Sequence, residues 1–493
     1  MPPLPYTLYC AKDVRELDRI AIEETGIAGI ELMNRAGQAV FDELRYRWPH
    51  AKRILILCGG GNNGGDGFVV ARLAQAAGLT AILVVLRDPA DFAGDAALAW
   101  QQAKAAGLVC TTYYPHLFNG VDLVVDAIFG TGLDREVSGA YAEVINAINR
   151  QAAPVVAVDI PSGLHADSGR VLGVAVEASL TVTFIGLKRG LLTAEGPELC
   201  GELLFNDLEL PRRLYQQVAV SVKRIDWCGT KNVLGRRVRN AHKGHFGHVL
   251  VMGGNHGMAG AVRMSAEAAM RTGAGLVSVA TRPTHVAAMA AALPEVMWHG
   301  VEAISDLNEM IDRATVIAIG PGLGHDDWAQ ALLMMALDSG LPLVVDADAL
   351  NLLAEYPDGT HSNWVMTPHP GEAARLLGCT TVQINQDRFT AVAQLHQHYG
   401  GVSVLKGVGS LVCDAEGGIS LCSAGNPGMA VGGMGDLLTG VIAAFIAQGL
   451  SLDDAAKAGV SLHSAAGDRA SMAGERGMMA TDLMPHLRYL VNL

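Results

Sequence analysis

The apolar residues in the first 50 positions recur at helical spacing. The segments Val14 to Glu24 and Glu31 to Leu44 carry apolar side chains three or four residues apart, and Gly29 lies between them. This period is typical of amphipathic helices. We therefore predict that residues 10–48 are mainly helical.

From residue 53 onward, short apolar runs alternate with helical stretches. The apolar runs predict strands at 53–58, 80–86, 121–129 and 154–160. A helix is predicted at 68–78, after the first strand. Short apolar strands separated by helices are typical of a parallel sheet with helices on both faces. The first part of the chain is therefore predicted to be an α/β domain.

The alternation stops at residues 211–240, a comparatively basic stretch, and then begins again. Further strands are predicted at 248–253, 275–281, 314–320, 341–347, 363–368 and 402–407, and an apolar helix at 436–450. A chain of 493 residues is too long for one hydrophobic core. We therefore predict two α/β domains, at residues 1–215 and 225–493. Their glycine-rich segments differ, which argues against an internal repeat.

Composition and charge narrow the class of protein. Half of the residues are apolar, which argues against wholesale disorder. The formal net charge is −13 and no cluster of Lys or Arg occurs, so a nucleic-acid partner is not expected. The eight cysteines are scattered without a C-x-x-C pair, which argues against a zinc site of that type and fits reduced thiols. No signal-peptide pattern and no apolar stretch of about 18 residues occurs, so we expect a cytoplasmic protein without a membrane partner.

A glycine-rich segment, GGGNNGGDG at 59–67, follows the first predicted strand. Glycines let backbone N–H groups turn toward a phosphate, because no side chain intervenes. The segment lacks the Gly-Lys-Ser/Thr of a Walker A loop and the G-x-G-x-x-G spacing of ordinary dehydrogenases. We interpret it, with Asn62, Asn63 and Asp66, as a ligand-binding loop; the alternative is a flexible tight turn.

Two carboxylates are predicted at the carboxyl ends of strands. Asp126 precedes the turn IFGTGLDRE at 128–136, and Asp159 leads into IPSGL at 160–164. Ligand crevices of open α/β sheets lie outside these strand ends. A single such Asp can instead cap a helix or turn, but the two together favour a site, which could also hold a cation through oxygen ligands. Lys188 either lies at the same crevice or is an exposed loop lysine.

Over residues 10–212, the motifs LMNRAG, NNGGDG, DAIFGTGL and DIPSG occur in an order that resembles the epimerase domain of the bifunctional NAD(P)H-hydrate repair enzymes. The resemblance implies a Rossmann-like three-layer domain, and a K⁺ site at Asn63, Asp126 and Ser162. It also implies that Asp159 is catalytic, which agrees with the acid/base that an epimerisation needs. The substrate-binding residues that it implies are Asn62, Asn63, Gly64, Gly65, Asp66, Gly130, Thr131, Gly132, Leu133, Asp134, Arg135, Glu136 and Asp159.

The strongest signal in the chain is NPGMAVGGMGDLLTG at 426–440. Gly432, Gly433 and Gly435 precede Asp436 at the start of a long apolar helix. The helix N-terminus offers free N–H groups and a positive dipole end to an anion, and Asp436 is placed to act as a base toward a hydroxyl. The alternative is an Asp that only caps the helix.

Further motifs in the second half favour a nucleotide site. Glycine turns follow predicted strands at 253–261, 320–324 and 406–410, where backbone groups are open to a phosphate or ribose. In TPHPGE at 367–372, two prolines fix the loop around His369, which is either a ligand contact or structural. Asp346 and Asp348 either orient a metal-bound phosphate or cap the next helix.

Over residues 225–493, the motifs HKGHFGHVLVMGG, GPGLG, TPHPGE, LKG and GNPGMAVGGMGD resemble, in this order, the dehydratase domain of the same enzymes. The resemblance implies a ribokinase-like three-layer domain that uses ADP as co-substrate and Mg²⁺. It implies that Asp436 is catalytic and that the hydrated cofactor contacts Ala261, Gly324, His369 and Asp436. The nucleotide-binding residues that it implies are Lys406, Gly407, Val408, Gly409, Ser410 and Gly435.

Together the resemblances cover nearly the whole chain and imply two linked reactions. The first domain interconverts the R and S forms of hydrated NADH or NADPH. The second phosphorylates the hydroxyl of the S form, with Asp436 taking the proton, so that phosphate can leave; ADP becomes AMP. A homo-oligomer is also implied. The alternatives are a vitamin or sugar kinase of ribokinase type fused to a nucleotide-binding module, and a non-catalytic nucleotide-sensing scaffold.

Overall fold

The computed structural model describes residues 4–355 and 361–493, and the chain divides into two compact units, Met1–Lys223 and Arg224–Leu493. The division falls inside the stretch 211–240 that interrupts the predicted α/β alternation. The limits 1–215 and 225–493 for the two functional domains stay predictions.

The first unit is an alternating α/β structure. Its strands are β1 (Thr7–Leu8), β2 (Arg53–Cys58), β3 (Thr80–Val85), β4 (Cys110–Thr111), β5 (Leu123–Ala127), β6 (Val155–Val158), β7 (Leu180–Phe184) and β8 (Glu202–Asn206), and β9 (Val222–Ile225) crosses the boundary. Its α-helices are α1 (Ala11–Thr25), α2 (Gly29–Arg47), α3 (Asn62–Ala76), α4 (Gly94–Ala105), α5 (Gly139–Asn149) and α6 (Gly196–Leu199).

Strands β2 to β8 form one parallel sheet in the order β4-β3-β2-β5-β6-β7-β8. The chain leaves β2 toward β3 and β4 and then returns to β5 on the other side of β2. The carboxyl ends of β2 and β5 therefore flank a topological switch point, where ligand crevices form in such sheets. The register pairs Asp126 with Leu57 on one side and with Ala157 on the other, so Asp126 lies at this switch point.

Strand β2 shows why the sheet is covered on both faces. Ile54 and Ile56 pack into one apolar cluster and Leu55 and Leu57 into another, and none of the four is exposed to solvent. Alternate residues of a strand point to opposite faces, so a continuous apolar run fits only a strand buried on both sides. Full burial of each such side chain stabilises the fold by about 1.5–3 kcal/mol.

The second unit repeats the α/β alternation around a different sheet. Its strands are β10 (His248–Met252), β11 (Leu276–Thr281), β12 (Met297–Gly300), β13 (Val316–Ile319), β14 (Leu343–Val345), β15 (Trp364–Met366), β16 (Val402–Leu405), β17 (Ser410–Cys413) and β18 (Ile419–Cys422). Its α-helices are α7 (Trp227–Thr230), α8 (Ala259–Thr272), α9 (Val286–Ala292), α10 (Asn308–Arg313), α11 (Asp327–Asp338), α12 (Ala347–Glu355), α13 (Pro370–Leu376), α14 (Thr381–Gln386), α15 (Arg388–Tyr399), α16 (Met434–Ala447), α17 (Leu452–Ser471) and α18 (Met484–Leu490).

The second sheet has the order β18-β17-β16-β15-β14-β13-β10-β11-β12. Strands β10 to β16 run parallel, and β16, β17 and β18 form an antiparallel edge. Helix α16 is buried from Leu437 to Ala447 and packs against α8 and α17. At its closest approach to α8, a Cβ on Gly440 would lie 2.0 Å from the carbonyl oxygen of Ser265, so only glycine fits there.

One predicted loop is wrong. The NNGGDG segment is not a loop, because α3 begins at Asn62 and includes it. Its glycines let the first turns of the helix pack tightly: a Cβ on Gly64 would lie 2.1 Å from the Gly59 oxygen, and one on Gly67 would lie 2.6 Å from the Ala127 Cβ. The same small residues that indicate a flexible loop in a sequence therefore serve close packing between a helix and its sheet.

None of the helices within residues 4–355 and 361–493 has the length and apolar character that crossing a membrane requires.

Two candidate active sites

A cavity of about 790 Å³ opens at the switch point of the first sheet. Most of the residues predicted to bind substrate line it: Asn62, Asn63, Asp66, Gly130, Thr131, Gly132, Leu133, Asp134, Arg135, Glu136 and Asp159. Gly64 and Gly65 are buried instead in the packing of α3, where a Cβ on Gly65 would lie 2.5 Å from the Met33 sulfur. Gly64 and Gly65 are not among the residues that line the cavity, so their contact with the substrate stays a prediction.

The Asp126 carboxylate, which is fully buried, is bound by the DIPSG turn. The Ser162 backbone N–H donates to Asp126 Oδ2 (2.8 Å), and the Ser162 hydroxyl donates to Oδ1 (2.6 Å). The Ile128 N–H also donates to Oδ1 (3.2 Å). Burial raises the pKa of Asp126 to about 6, although these hydrogen bonds oppose the shift.

The side-chain amide of Asn63, the third residue predicted to bind K⁺ with Asp126 and Ser162, lacks hydrogen-bond partners in the described part of the chain. Its side chain is buried, and neither Oδ1 nor Nδ2 has a hydrogen-bond partner among the residues that the structure describes. A Cβ on Gly130 would lie 3.5 Å from Asn63 Oδ1, so the amide is next to the turn that follows Asp126. Buried polar atoms without partners are rare and call for an explanation such as a bound ion.

Asp159, which is partly exposed, forms an ion pair with the buried Lys188 at the end of β6. Asp159 Oδ1 also accepts from the Thr183 hydroxyl and from the Phe184 N–H, both at 3.2 Å. The backbone of Asp159 is left-handed, with φ 67°, a strained conformation for a residue with a side chain. Lys188 is only 1% exposed, so its interpretation as an exposed loop lysine is wrong.

Other carboxylates face the same cavity. Burial, then the charges of Asp159 and Asp18, raises the pKa of Asp66 well above its usual range. Burial, then Asp95 and Asp159, raises the pKa of Asp18. Sequence reasoning missed Asp18 and Asp95, because they occupy polar positions of α1 and α4 that look like solvent-facing ones. A raised pKa favours the protonated form of a carboxyl group, and the protonated form can donate a hydrogen bond to a ligand oxygen.

The second site forms around the N-terminus of α16. The N-cap is Gly433, with φ 94°, and a Cβ there would lie 2.7 Å from the Met264 methyl carbon. Asp436 is the third residue of the helix, and no hydrogen bond to its carboxylate occurs within residues 4–355 and 361–493. The capping alternative is therefore wrong. Burial, then the charge of Asp346, raises the pKa of Asp436 to about 7.

Lys406 lies between two carboxylates at this helix start. Its Nζ is 2.6 Å from Asp346 Oδ1 and 3.8 Å from Glu372 Oε2. The Thr439 hydroxyl, one turn along α16 from Asp436, donates to Asp346 Oδ2 (2.9 Å). A Cβ on Gly435 would lie 3.2 Å from Lys406 Nζ. The ends of β14 and β16 therefore converge with the first turn of α16.

His369 is oriented by its own helix. Its Nδ1 accepts the Gly371 N–H (2.9 Å) and the Glu372 N–H (3.4 Å), so the ring caps α13. Burial, then the Lys406 charge, lowers the pKa of His369, and the imidazole is therefore neutral near pH 7. About half of the side chain is exposed, which leaves Nε2 for a ligand or for Glu372.

The glycine turns at 253–261 and 320–324 contact each other. The Asn255 N–H donates to the Gly322 oxygen (2.7 Å), and the Gly324 N–H donates to Asp348 Oδ2 (2.8 Å). A Cβ on Gly322 would lie 3.2 Å from the Ala261 Cβ. Asp348 therefore holds the turn at 320–324, and its role toward a metal-bound phosphate stays a prediction.

The turn at 406–410 closes on itself. The Ser410 hydroxyl donates to the Gly407 oxygen (3.0 Å), and the Gly407 N–H lies 3.3 Å from the same hydroxyl. Gly407 and Gly409 have φ values of 139° and 65°, which side chains rarely allow. Beneath the turn lies Arg388, which sequence reasoning missed because nothing in the pattern separates it from a surface arginine.

Both halves of the chain match known families. Residues 249–488 match the family described as NAD(P)H-hydrate dehydratase, and residues 29–190 match the family described as YjeF-related protein N-terminus. The chain is 51% identical over 487 residues to a bifunctional NAD(P)H-hydrate repair enzyme of Coxiella burnetii, covering 98% of this chain and 99% of that protein. It is 44% identical over 493 residues to the corresponding enzyme of Escherichia coli K12, covering 99% and 95%.

A solved structure resembles the second unit. A ribokinase-like superfamily protein from Enterococcus faecalis V583 covers 55% of this chain and 96% of its own length, with a TM-score of 0.52 and 31% identity. The predicted fold classes, Rossmann-like in the first half and ribokinase-like in the second, are confirmed.

Proposed function

The chain belongs to the family of bifunctional NAD(P)H-hydrate repair enzymes, and on that premise we propose how its two sites divide the repair. The first unit interconverts the R and S forms of hydrated NADH and NADPH. The second uses ADP to dehydrate the S form, giving the reduced cofactor, AMP and phosphate. The observation that carries the assignment is the position of Asp436, a carboxylate with a pKa of about 7 in the first turn of a glycine-preceded helix.

In the epimerase site, Asp159 acts as the acid/base and the cavity holds the hydrated nicotinamide. A ligand cavity of a few hundred to about 1,000 Å³ is usual for molecules of this class. Lys188 fixes the Asp159 carboxylate, and Asp66, whose pKa is raised by burial, contacts a substrate oxygen. The turn at 130–136 and the start of α3 at Asn62 form the walls.

The residues predicted for K⁺ fit that ion. Asn63 supplies an amide oxygen without a partner, Asp126 a buried carboxylate and Ser162 a hydroxyl. Hard cations prefer such oxygen donors. A bound K⁺ would supply a fixed positive charge beside the substrate.

In the dehydratase site, Asp436 takes the proton of the substrate hydroxyl. The free N–H groups at the start of α16 face the transferring phosphoryl group. Gly435 and the turn at 406–410 bind the nucleotide, and the S form of the cofactor lies against Ala261, Gly324 and His369. Hydroxide is a poor leaving group, so phosphorylation is what makes the elimination feasible.

We assign Mg²⁺ to the same edge of the sheet. Asp346 and Glu372 supply carboxylate oxygens, which Mg²⁺ prefers, and both face Lys406 in this structure. The bound ion would neutralise charge on the phosphoryl group. A homo-oligomeric state and a cytoplasmic location stay predictions from the sequence.

The kinase and scaffold alternatives are not supported by the full-length match to repair enzymes. The decisive experiment follows absorbance at the reduced-nicotinamide band during incubation of an epimer mixture of NADH hydrate with Mg²⁺ and either ADP or ATP. We expect recovery only with nucleotide, with ADP as the better donor, continuing past the S fraction to completion. Recovery that stops at the S fraction would contradict the epimerase assignment, and no recovery would contradict the dehydratase assignment.

A further inference from the structure

Arg388 is a buried cation at the start of α15. Its side chain is only 3% exposed. The preceding residue, Asp387, does not neutralise it, because both oxygens of that carboxylate bind Thr390: Oδ1 accepts the N–H (3.1 Å) and Oδ2 the hydroxyl (2.7 Å). The nearest acid along the chain is therefore committed to capping the helix.

The guanidinium contacts the backbone of the turn that precedes β17. Its Nη2 donates to the carbonyl oxygens of Leu405 (3.3 Å), Lys406 (3.3 Å) and Gly409 (3.4 Å). Its Nη1 donates to the Lys406 oxygen (3.4 Å). A Cβ on Gly407 would lie 2.8 Å from Nη1, so the absence of a side chain at this position lets the guanidinium pack under the turn.

No carboxylate in residues 4–355 and 361–493 forms an ion pair with Arg388, and its Nε is buried without a hydrogen-bond partner. Burial lowers the pKa of Arg388 to about 10, so the group stays cationic at neutral pH. A buried charge that is satisfied only by carbonyl oxygens is costly. An anion bound on the other side of the turn would reduce that cost.

We propose that Arg388 is a positioning residue for the nucleotide: it sets the shape of the turn at 406–410 from beneath and places a positive charge behind the nucleotide phosphates. The proposal rests on the assignment of that turn to the nucleotide. Arginine suits the role because its planar fork reaches several carbonyls at once, whereas lysine offers one compact ammonium group. A lysine at position 388 would keep the positive charge but could not reach several of the carbonyl oxygens at once.

The test uses the full chain with Arg388→Met and Arg388→Lys. The matched control is Arg237→Met, since Arg237 also donates to a backbone carbonyl, that of Gly273, and to the Gln448 side chain, but does not contact the turn. ADP affinity is measured by calorimetry, and the KM and kcat of dehydration are measured beside epimerase activity of the same preparation. Intact epimerase activity reports that the first unit remains folded.

We expect Arg388→Met to raise the Kd and KM for ADP roughly tenfold or more, the scale of losing hydrogen bonds from a charged group. The KM for the hydrated cofactor stays unchanged. The kcat changes by less than about threefold, because the variant removes binding energy that the ground state and the transition state share. Arg388→Lys falls between the parent and Arg388→Met, and Arg237→Met keeps the parent's Kd.

An ADP affinity unchanged in Arg388→Met, or a loss confined to kcat, would overturn the role of Arg388. If Arg388→Met does not fold, the Kd of Arg388→Lys decides, and a value equal to the parent's overturns the proposal. A parent protein that binds neither ADP nor ATP would instead overturn the nucleotide site itself.

Discussion

Lys406 Nζ and Asp346 Oδ1 lie 2.6 Å apart, in a largely buried ion pair next to the helix start that carries Asp436. Burial alone would raise the pKa of Asp346, but the Lys406 ammonium, together with hydrogen bonds from the Thr439 and Thr367 hydroxyls, holds that pKa below its usual value. Asp346 therefore stays charged and repels a second negative charge nearby. Burial and this repulsion raise the pKa of Asp436, while Lys406 opposes them. The charges of the ion pair thus adjust, in opposite directions, a pKa that burial raises first.

Replacing Asp436 with Asn removes the proposed base and leaves the first unit untouched. We expect nucleotide-dependent dehydration to fall by roughly 10²–10⁴-fold, the usual contribution of a positioned general base. Epimerisation, measured on the same sample by chromatographic separation of the two epimers, stays at the parent's rate. Loss of both activities in a folded variant would show that the two reactions do not have separate sites.

The pH dependence of dehydration reports the same carboxylate. Because Asp436 must be ionised to accept a proton, kcat/KM falls below about pH 7 in the parent. In Asp346→Asn the repulsion is lost while Lys406 remains, so the pKa of Asp436 falls and the acid limb moves to lower pH. The absolute rate also falls in this variant, so the position of the limb is the measurement. If the acid limb of Asp346→Asn lies at the same pH as that of the parent, Asp346 does not raise the pKa of Asp436.

Asp159→Asn is expected to slow epimerisation by roughly 10²-fold or more, since it removes the acid/base. Lys188→Met leaves the Asp159 carboxylate without its buried partner and is expected to slow the reaction as well. Dehydration of purified S form by either variant stays at the parent's rate. An epimerase that is fully active as Asp159→Asn would require another acid/base, for which Asp66 in the same cavity is a candidate.

Potassium dependence tests the Asn63, Asp126 and Ser162 group. We expect epimerisation to be faster in KCl than in choline chloride at the same ionic strength. Asp126→Asn removes the charged oxygen and is expected to abolish that difference, while Asp134→Asn, a change in the exposed turn that lines the cavity, keeps it. Equal rates in both salts for the parent would contradict the assignment of K⁺ to this group.

The sequence predicted the strands that carry the sites, because buried parallel strands are continuous apolar runs; RILILC matches β2 to the residue. It did not predict that α3 begins at Asn62, since glycine indicates a turn unless the packing partner is known. It left β4, β7, β8, β12, β17 and β18 unassigned, where polar and small residues interrupt the apolar pattern. Burial of Lys188 and Arg388 and the pairing of Lys406 with Asp346 depend on contacts between distant segments, which no local pattern contains.

Asp436→Asn is also expected to stabilise the second unit at neutral pH. An aspartate has a pKa near 3.9 in an unfolded chain, and that of Asp436 is about 7 in the folded one. Between these values the folded state binds more protons than the unfolded state, so stability falls as pH rises through this window and stays low above it. Asparagine has no charge to bury and avoids this loss.

Scanning calorimetry of parent and variant, following the transition that ADP shifts, shows whether the substitution raises or lowers the stability of the second unit. The variant's midpoint exceeds the parent's at pH 8, and the difference shrinks toward pH 4.5. A variant that is less stable at pH 8 would mean that the charged carboxylate of Asp436 is stabilised in the folded protein, contrary to the repulsion by Asp346.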